Sequence, residues 1–386
     1  MITDATLLPG AVPKAARERV LAHLARLVAC DTRNPPRSGG GIDALFLYAT
    51  EELERAGFSV SVRDLGDGCR WLRARRHESP QALVNIHVDT VPADPGWTRD
   101  PHALLVDDDR AIGLGACDIK GALACFLVAA AATDGPGDLL LTTDEEAGSS
   151  RCVTTFVAEN DVDELPVVVA EPTQARAVVA HRGIGTAAGT FFGTAGHASS
   201  PRALDDSAVH EAVRWAERAL VVAASESSQT PGGLSGIRFN LGLFEGGLKA
   251  NMIASKATLR FGVRPPPGTS PRDVVGLLCA LARDPARVKW EPGYFAPALP
   301  AARPERSVDE ARARGVALAK TLELPVGDDV DFFTEAALFS DAGATAIVFG
   351  PGDIAQAHSA EEWVSCEQLD ACLQAYARLL GSSAKA

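Results

Sequence analysis

The chain has no Cys-x-x-Cys pair among its eight cysteines, Cys30, Cys69, Cys117, Cys125, Cys152, Cys279, Cys366 and Cys372. That spacing argues against a disulfide framework or a thiolate zinc finger and leaves reduced, mostly buried thiols. An excess of positive charge is missing too: 37 Lys and Arg stand against 50 Asp and Glu, a formal net charge of -13. Bulk electrostatics therefore opposes nucleic acid and anionic membrane surfaces as partners. The N-terminal stretch through Ala29 breaks its apolar residues with Lys14, Arg17, Arg19 and Arg26, so it lacks the unbroken apolar core of a signal peptide or a membrane span. It reads as the first helix of a cytoplasmic protein. Internal repeats are absent, and Pro265-Pro266-Pro267 is a loop rather than a low-complexity linker.

What is present suits two globular domains: 386 residues, 46% apolar and 23% charged. Apolar periodicity predicts amphipathic helices over 15–29 and 42–56, and short strands over 58–62, 82–88, 139–143 and 167–170. Residues 121–132 are small, apolar and alanine-rich, as a buried helix would be. Strands alternating with helices predict an α/β layer with a mainly parallel central sheet, whose ligands collect at the carboxyl ends of the strands.

After about Arg176 the rhythm changes. A strand over 178–192, a helix over 203–223, strands over 237–243 and 257–263 and a helix over 271–282 follow the order of a split α+β, ferredoxin-like sandwich. Beyond Arg287 the α/β pattern returns, with a helix over 308–321, a strand over 345–349 and a last helix over 366–380. The expected organisation is a catalytic domain, 1–176 and 288–386, interrupted by an inserted domain, 177–287.

The chemistry gathers where the apolar runs stop. His87 and Asp89 end the run 82–86, Asp144-Glu145-Glu146 ends 139–143, and Glu171 ends 167–170, while Asp118 closes Gly113-Leu114-Gly115-Ala116-Cys117-Asp118 and His358 follows Gly350-Pro351-Gly352. Imidazole and carboxylate are the donors that bind Zn²⁺ or Co²⁺ in hydrolytic centres, and an open metal site makes hydroxide available at neutral pH. Glu145 and Glu146 leave a strand in different directions, so one can ligate while its neighbour serves as a base.

These blocks resemble the M20 metallopeptidase family, in particular its acetylornithine deacetylase and succinyl-diaminopimelate desuccinylase group. The likeness runs through His87-Val88-Asp89-Thr90-Val91-Pro92, Gly113 to Gly121, Asp144-Glu145-Glu146 and Glu171-Pro172-Thr173. It continues in Gly196-His197-Ala198-Ser199-Ser200-Pro201, Gly246 to Ile253 and Gly350-Pro351-Gly352 before Ala357-His358, in family order over nearly the whole chain. The resemblance implies a zinc-peptidase-like catalytic domain and an inserted lid that also carries a homodimer contact. It implies that His87 and Glu171 hold one metal, that Glu146 and His358 hold a second, and that Asp118 bridges them, with one or two Zn²⁺ or Co²⁺ ions per subunit. Asp89 would orient His87, Glu145 would be the general base for attack of metal-bound hydroxide, and His197 would reach across the dimer to the oxyanion. Asn251, Arg264 and Thr334 match positions that contact the substrate.

Glu171, rather than Asp, resembles the branch that cleaves N-acyl groups or carboxy-terminal residues. Asp31-Thr32-Arg33-Asn34-Pro35-Pro36-Arg37, Ala180-His181-Arg182-Gly183-Ile184 and Phe332-Phe333-Thr334-Glu335-Ala336 resemble the subgroup acting on N-acetyl-L-citrulline in arginine biosynthesis. Acetylornithine, aminoacylase and dipeptidase chemistries are alternatives on the same scaffold. Phe332, Phe333 and Leu114 depart from the usual pattern of the group, where glycine and arginine stand, which predicts an altered substrate pocket. A catalytically silent regulatory homologue would be expected to lack Glu145, Asp118 or His358, and all three are present.

Overall fold

The computed structural model describes residues 12–35, 37, 40–226 and 234–381. Pro36 lies outside the described residues. The chain divides into two compact units. One holds the described residues through Val179, Asp309–Asp328 and those from Thr334 on, and the other holds Ala180–Val308 and Asp329–Phe333.

The first unit is built on a six-stranded sheet ordered Ser59–Asp64, Arg70–Arg76, Gly137–Thr142, Leu83–His87, Pro166–Val169, Thr345–Val348. The last four run parallel and the first two are antiparallel additions at one edge. Every residue of Leu83–His87 and Gly137–Thr142 is buried, as expected of strands covered on both faces. Four carboxyl ends therefore point the same way, and His87, Asp144 to Glu146, Glu171 and Gly350 leave from them.

The helix Gly121–Ala132 has no polar stripe because ten of its twelve residues are buried, packed against the helices Lys14–Val28 and Cys366–Leu379. Its alanines let those neighbours approach closely. The strand Arg70–Arg76 escapes the apolar pattern, since four of its seven residues are arginines. Their charges are satisfied locally: Arg73 donates twice to Asp138, at 3.0 and 2.8 Å, and Arg76 donates to the carbonyls of Gly135, Ala56, Ala130 and Thr133.

The second unit is a four-stranded antiparallel sheet ordered Arg238–Gly246, Lys256–Arg264, Ile184–Phe192, Val288–Ala296, with the helices Ala208–Glu226 and Pro271–Cys279 on one face. Its chain order is β-α-β-β-α-β, the ferredoxin-like arrangement. Trp215, Phe191, Phe261 and Leu259 form its own core. The sheet runs past Arg287, where the sequence pattern ends the domain, because Val288–Ala296 pairs with Ile184–Phe192. Pro292 and Gly293 hide that strand in the sequence, and it is an edge strand with a register shift between Pro292 and Phe295, where proline is tolerated. The strand expected from 178 starts only at Ile184, and the helix expected over 203–223 is a turn at Ala203–Asp206 followed by Ala208–Glu226. No helix among the described residues is long and apolar enough to cross a membrane.

Candidate metal centre

Two groups of donors assemble at the strand ends of the first unit. His87, Asp118 and Glu171 form one, and Asp118, Glu146 and His358 form the other, with the donor atoms of each group within 4.8 Å of one another. Asp118 belongs to both. His87 Nε2 lies 3.0 Å from Asp118 Oδ1 and 3.9 Å from Glu171 Oε1, while His358 Nε2 lies 3.3 Å from Asp118 Oδ2 and 2.9 Å from Glu146 Oε1. His87 is almost fully enclosed, whereas the His358 side chain is about half exposed, so the second group opens to solvent.

Local sequence explains how these side chains meet. Gly115 takes φ +76°, and a Cβ there would meet Thr90 at 2.6 Å, so glycine is what lets the turn that carries Asp118 close against the end of Leu83–His87. A Cβ on Gly350 would stand 2.6 Å from the Glu171 carbonyl oxygen, which is why the segment leading to His358 can pass the Glu171 backbone.

The electrostatics are those of a site built for positive charge. Burial raises Glu171 well above the usual carboxylate range, and repulsion from Asp118 adds to it while His87 opposes it. Glu146 is raised by burial against the pull of His358. Burial pushes Glu145 up to about 8, with His87 opposing. Burial would also raise Asp118, but hydrogen bonds from His358 and His87 hold it well below the usual range. His358 is raised to about 11 by its bonds to Asp118 and Glu146. Carboxylates crowded together out of water are tolerable only with a cation among them. The donor set, imidazole and carboxylate without thiolate, fits Zn²⁺ or a similar divalent ion in an open hydrolytic site.

The Asp89 carboxylate lies beside His87 and, with Asp118, raises it against the lowering effect of burial. The nearest partner of His87 Nδ1 is the Asp89 carbonyl oxygen at 3.0 Å, and the carboxylate is 3.6 Å away. That carboxylate also accepts the backbone N–H groups of Glu145 and Glu146 at 3.3 and 3.1 Å and the Asn34 amide at 3.4 Å. It thus ties the end of one strand to the loop that presents the two glutamates.

In the second unit, His197 is exposed, with Nδ1 2.7 Å from Ser199 Oγ, and its two-residue strand pairs with Met252–Ile253. The Ala198 N–H donates to the Asn251 carbonyl at 3.1 Å, so His197 and Asn251 share one local ladder. Arg264 is partly buried, donates to the Val263 carbonyl, and is depressed by burial. Thr334, in the first unit, is fully buried, and its Oγ1 accepts the Ala336 N–H at 3.2 Å, so it shapes the start of the helix Ala336–Asp341. Four of the five remaining histidines have ordinary partners: His23 contacts the Tyr48 hydroxyl, His102 the Val28 carbonyl, His181 the Arg182 carbonyl and His210 the Leu204 carbonyl. All eight cysteines are free, and burial pushes the Cys117 thiol far up, which removes it as a nucleophile.

Two acids beside the centre are buried: Glu335, read from the sequence only as a neighbour of Thr334 in the stretch 332–336, and Glu362, which sequence reasoning missed. Glu335 accepts from Thr142 Oγ1 at 3.3 Å, and burial raises it well above the usual range. Glu362 accepts three backbone N–H groups of the turn that carries Asp118. Neither could be picked out by residue type, because both sit in ordinary helix-start or strand-start sequence.

Comparison with known proteins gives this geometry its context. The model of peptidase family M20/M25/M40 matches residues 83–382, which spans the four parallel strands and both donor groups. The chain belongs to peptidase family M20/M25/M40. This M20 chain is 46% identical over 368 residues to the N-acetyl-L-citrulline deacetylase of Xanthomonas campestris pv. campestris, covering 94% of the chain and 98% of that protein. It is 32% identical to the acetylornithine deacetylase of Myxococcus xanthus, over 92% of the chain and 95% of the relative. Among solved structures, an M20 family metallo-carboxypeptidase from Sulfolobus solfataricus superposes with a TM-score of 0.72 at 16% identity, covering 94% of this chain and 98% of the other. At that identity the likeness shows the fold.

Proposed function

We propose that this M20 chain is a metal-dependent deacetylase of N-acetyl-L-citrulline. The observation that carries the metal-dependent part is the pair of donor groups joined through Asp118 with Glu145 on the adjoining strand end. The side-chain choice is supported by the 46% identity to a protein of that name, against 32% to the acetylornithine enzyme from Myxococcus xanthus. Zn²⁺ or Co²⁺ bound by these donors would polarise the acetyl carbonyl and bring the pKa of a coordinated water to about 7.

The chain's own residues divide the remaining work. His87 and Glu171 are assigned to one ion, Glu146 and His358 to the other, and Asp118 to both. Glu145 takes the proton from the attacking water and passes it to the leaving amine, a task that suits a carboxylate lifted toward neutrality by burial. Asp89 holds the Glu145-Glu146 loop in place. His197 donates to the oxyanion, acting across a homodimer contact of the inserted unit, and no covalent acyl-enzyme forms. Asn251 and Arg264 take the substrate carboxylate, for which the planar guanidinium fork is suited. Thr334 serves indirectly, by setting the loop that lines the pocket. The compartment is the cytoplasm.

Ornithine carries an ammonium where citrulline carries a neutral ureido group, and a pocket that pairs ureido donors and acceptors penalises an unpaired charge by a few kcal/mol. The test is amine release from N-acetyl-L-citrulline and N-acetyl-L-ornithine side by side, on protein stripped with chelator and reloaded with Zn²⁺ or Co²⁺. A metal-dependent preference for acetylcitrulline is expected, and comparable turnover of both would sink the side-chain assignment. For the carboxylate clamp, Arg264→Ala should raise KM by about tenfold or more while kcat changes much less, since a hydrogen bond to a charged group contributes about 1.5–3 kcal/mol. Initial rates across substrate concentration check it, and an unchanged KM would remove Arg264 from the binding site.

A further inference from the structure

Glu362 does for one turn what secondary structure does elsewhere. The turn over 113–118 belongs to no sheet ladder beyond Ile112, and four of its six backbone N–H groups converge on this residue, while Leu114 donates to the Pro101 carbonyl at 2.8 Å. Gly115 donates to Glu362 Oε2 at 3.0 Å, and Cys117 and Asp118 donate to Oε1 at 2.9 and 3.0 Å. Gly113 donates to the Glu362 backbone carbonyl at 2.9 Å, and only Ala116 bonds within the turn, to the Gly113 carbonyl at 3.0 Å.

Glu362 is 1% exposed, and its charge lies close enough to the buried Lys120 ammonium, which donates to the Cys30 carbonyl at 2.9 Å, to oppose the burial that lowers that ammonium. Burying a charge is poor value for stability alone, since an apolar side chain of similar volume often serves as well. An acceptor-only group facing three N–H donors is instead what fixes the backbone that carries them.

The backbone so fixed ends at Asp118, whose two oxygens face His87 at 3.0 Å and His358 at 3.3 Å. Glu362 also lies four residues beyond His358 and directly before the strand Trp363–Ser365, which pairs with Arg110–Ile112. It therefore ties together the segments that deliver the shared carboxylate and the half-exposed imidazole.

We propose that Glu362 is a positioning residue for the metal centre, holding Asp118 at the orientation in which one carboxylate serves both donor groups. The inference rests on the reading that these groups hold metal. Glu362→Gln puts an NH₂ against at least one of the N–H donors, so the Asp118 turn must shift while the side-chain volume stays the same.

The experiment titrates metal-free full-length protein with Zn²⁺ alone in competition with a chromophoric chelator, and records the melting temperature of the metal-free protein in parallel. It compares the wild type, Glu362→Gln, Glu362→Asp and the core variant Leu53→Ala. Zn²⁺ affinity is expected to fall about 10- to 100-fold in Glu362→Gln, the usual scale for partners that orient metal ligands. Glu362→Asp, which keeps the charge but withdraws it by one methylene, should fall between, and it carries the test if the glutamine variant does not fold. Leu53→Ala should lower the melting temperature and leave affinity unchanged, which separates positioning from stability. Wild-type affinity in a folded Glu362 variant overturns the inference, as does an equal loss in Leu53→Ala. A wild-type chain that takes up no Zn²⁺ overturns this inference together with the reading of the donor groups.

Discussion

Glu145→Ala is expected to bind metal with wild-type stoichiometry and to lose about 10²- to 10⁴-fold in kcat, the contribution typical of a positioned general base. The expectation follows from where Glu145 stands. It leaves the same strand end as Glu146, yet it belongs to neither group of donors, and its carboxyl is lifted to about 8 by burial against the opposing pull of His87. Metal bound among these residues would draw that value down, so the free carboxylate is the form available at neutral pH. A base in this position must accept a proton from water and return it to an amine in one turnover, and truncation removes both steps. KM should change little, because the residue is assigned no part in ground-state binding. Steady-state kinetics beside metal analysis of the same sample decides it. Near-normal turnover would move the base elsewhere, and loss of metal would make Glu145 a ligand.

His358→Ala is expected to lose one metal of the pair and to retain the other. His358 is the only imidazole of its group, 2.9 Å from Glu146 and 3.3 Å from Asp118, and it is about half exposed. Without it two carboxylates face each other with no nitrogen donor, whereas His87, Asp118 and Glu171 remain intact and almost fully enclosed. Affinity at the depleted position should fall by more than the 10- to 100-fold that follows loss of an orienting partner, since a direct ligand is removed. Equilibrium dialysis against Zn²⁺ followed by metal analysis should give half the wild-type content. Full content would mean that the second group is completed by another donor.

Much of the centre is legible in the chain because metal chemistry needs particular side chains at particular ends of strands. The apolar runs before His87, Asp144 and Glu171 mark buried parallel strands, and the acids and imidazole that follow them stand where such strands stop. Glu362 carries no such mark, since a glutamate four residues after a histidine reads as a surface acid until its three N–H partners are seen. Asp89 was legible as a site residue, but not the hold of its carboxylate on the loop of Glu145 and Glu146, because alternation says nothing about which distant N–H groups a carboxylate will accept. Arg70–Arg76 and Val288–Ala296 were hidden as strands by arginines and by a proline, and each is held in place by pairing with neighbouring strands.

By itself, the sequence determined the donor types, their order, the strands that present them and the class of fold, because each of these is set within a few residues by hydrophobic period and side-chain chemistry. That His358 meets Glu146, 212 residues away, was implied by the family resemblance and by nothing in the local pattern, and the tertiary structure alone decided that Glu362 grips the turn of Asp118, 244 residues away. It also decided that the inserted sheet closes with a fourth strand. Those outcomes depend on register and packing between distant segments, for which the local pattern carries no term.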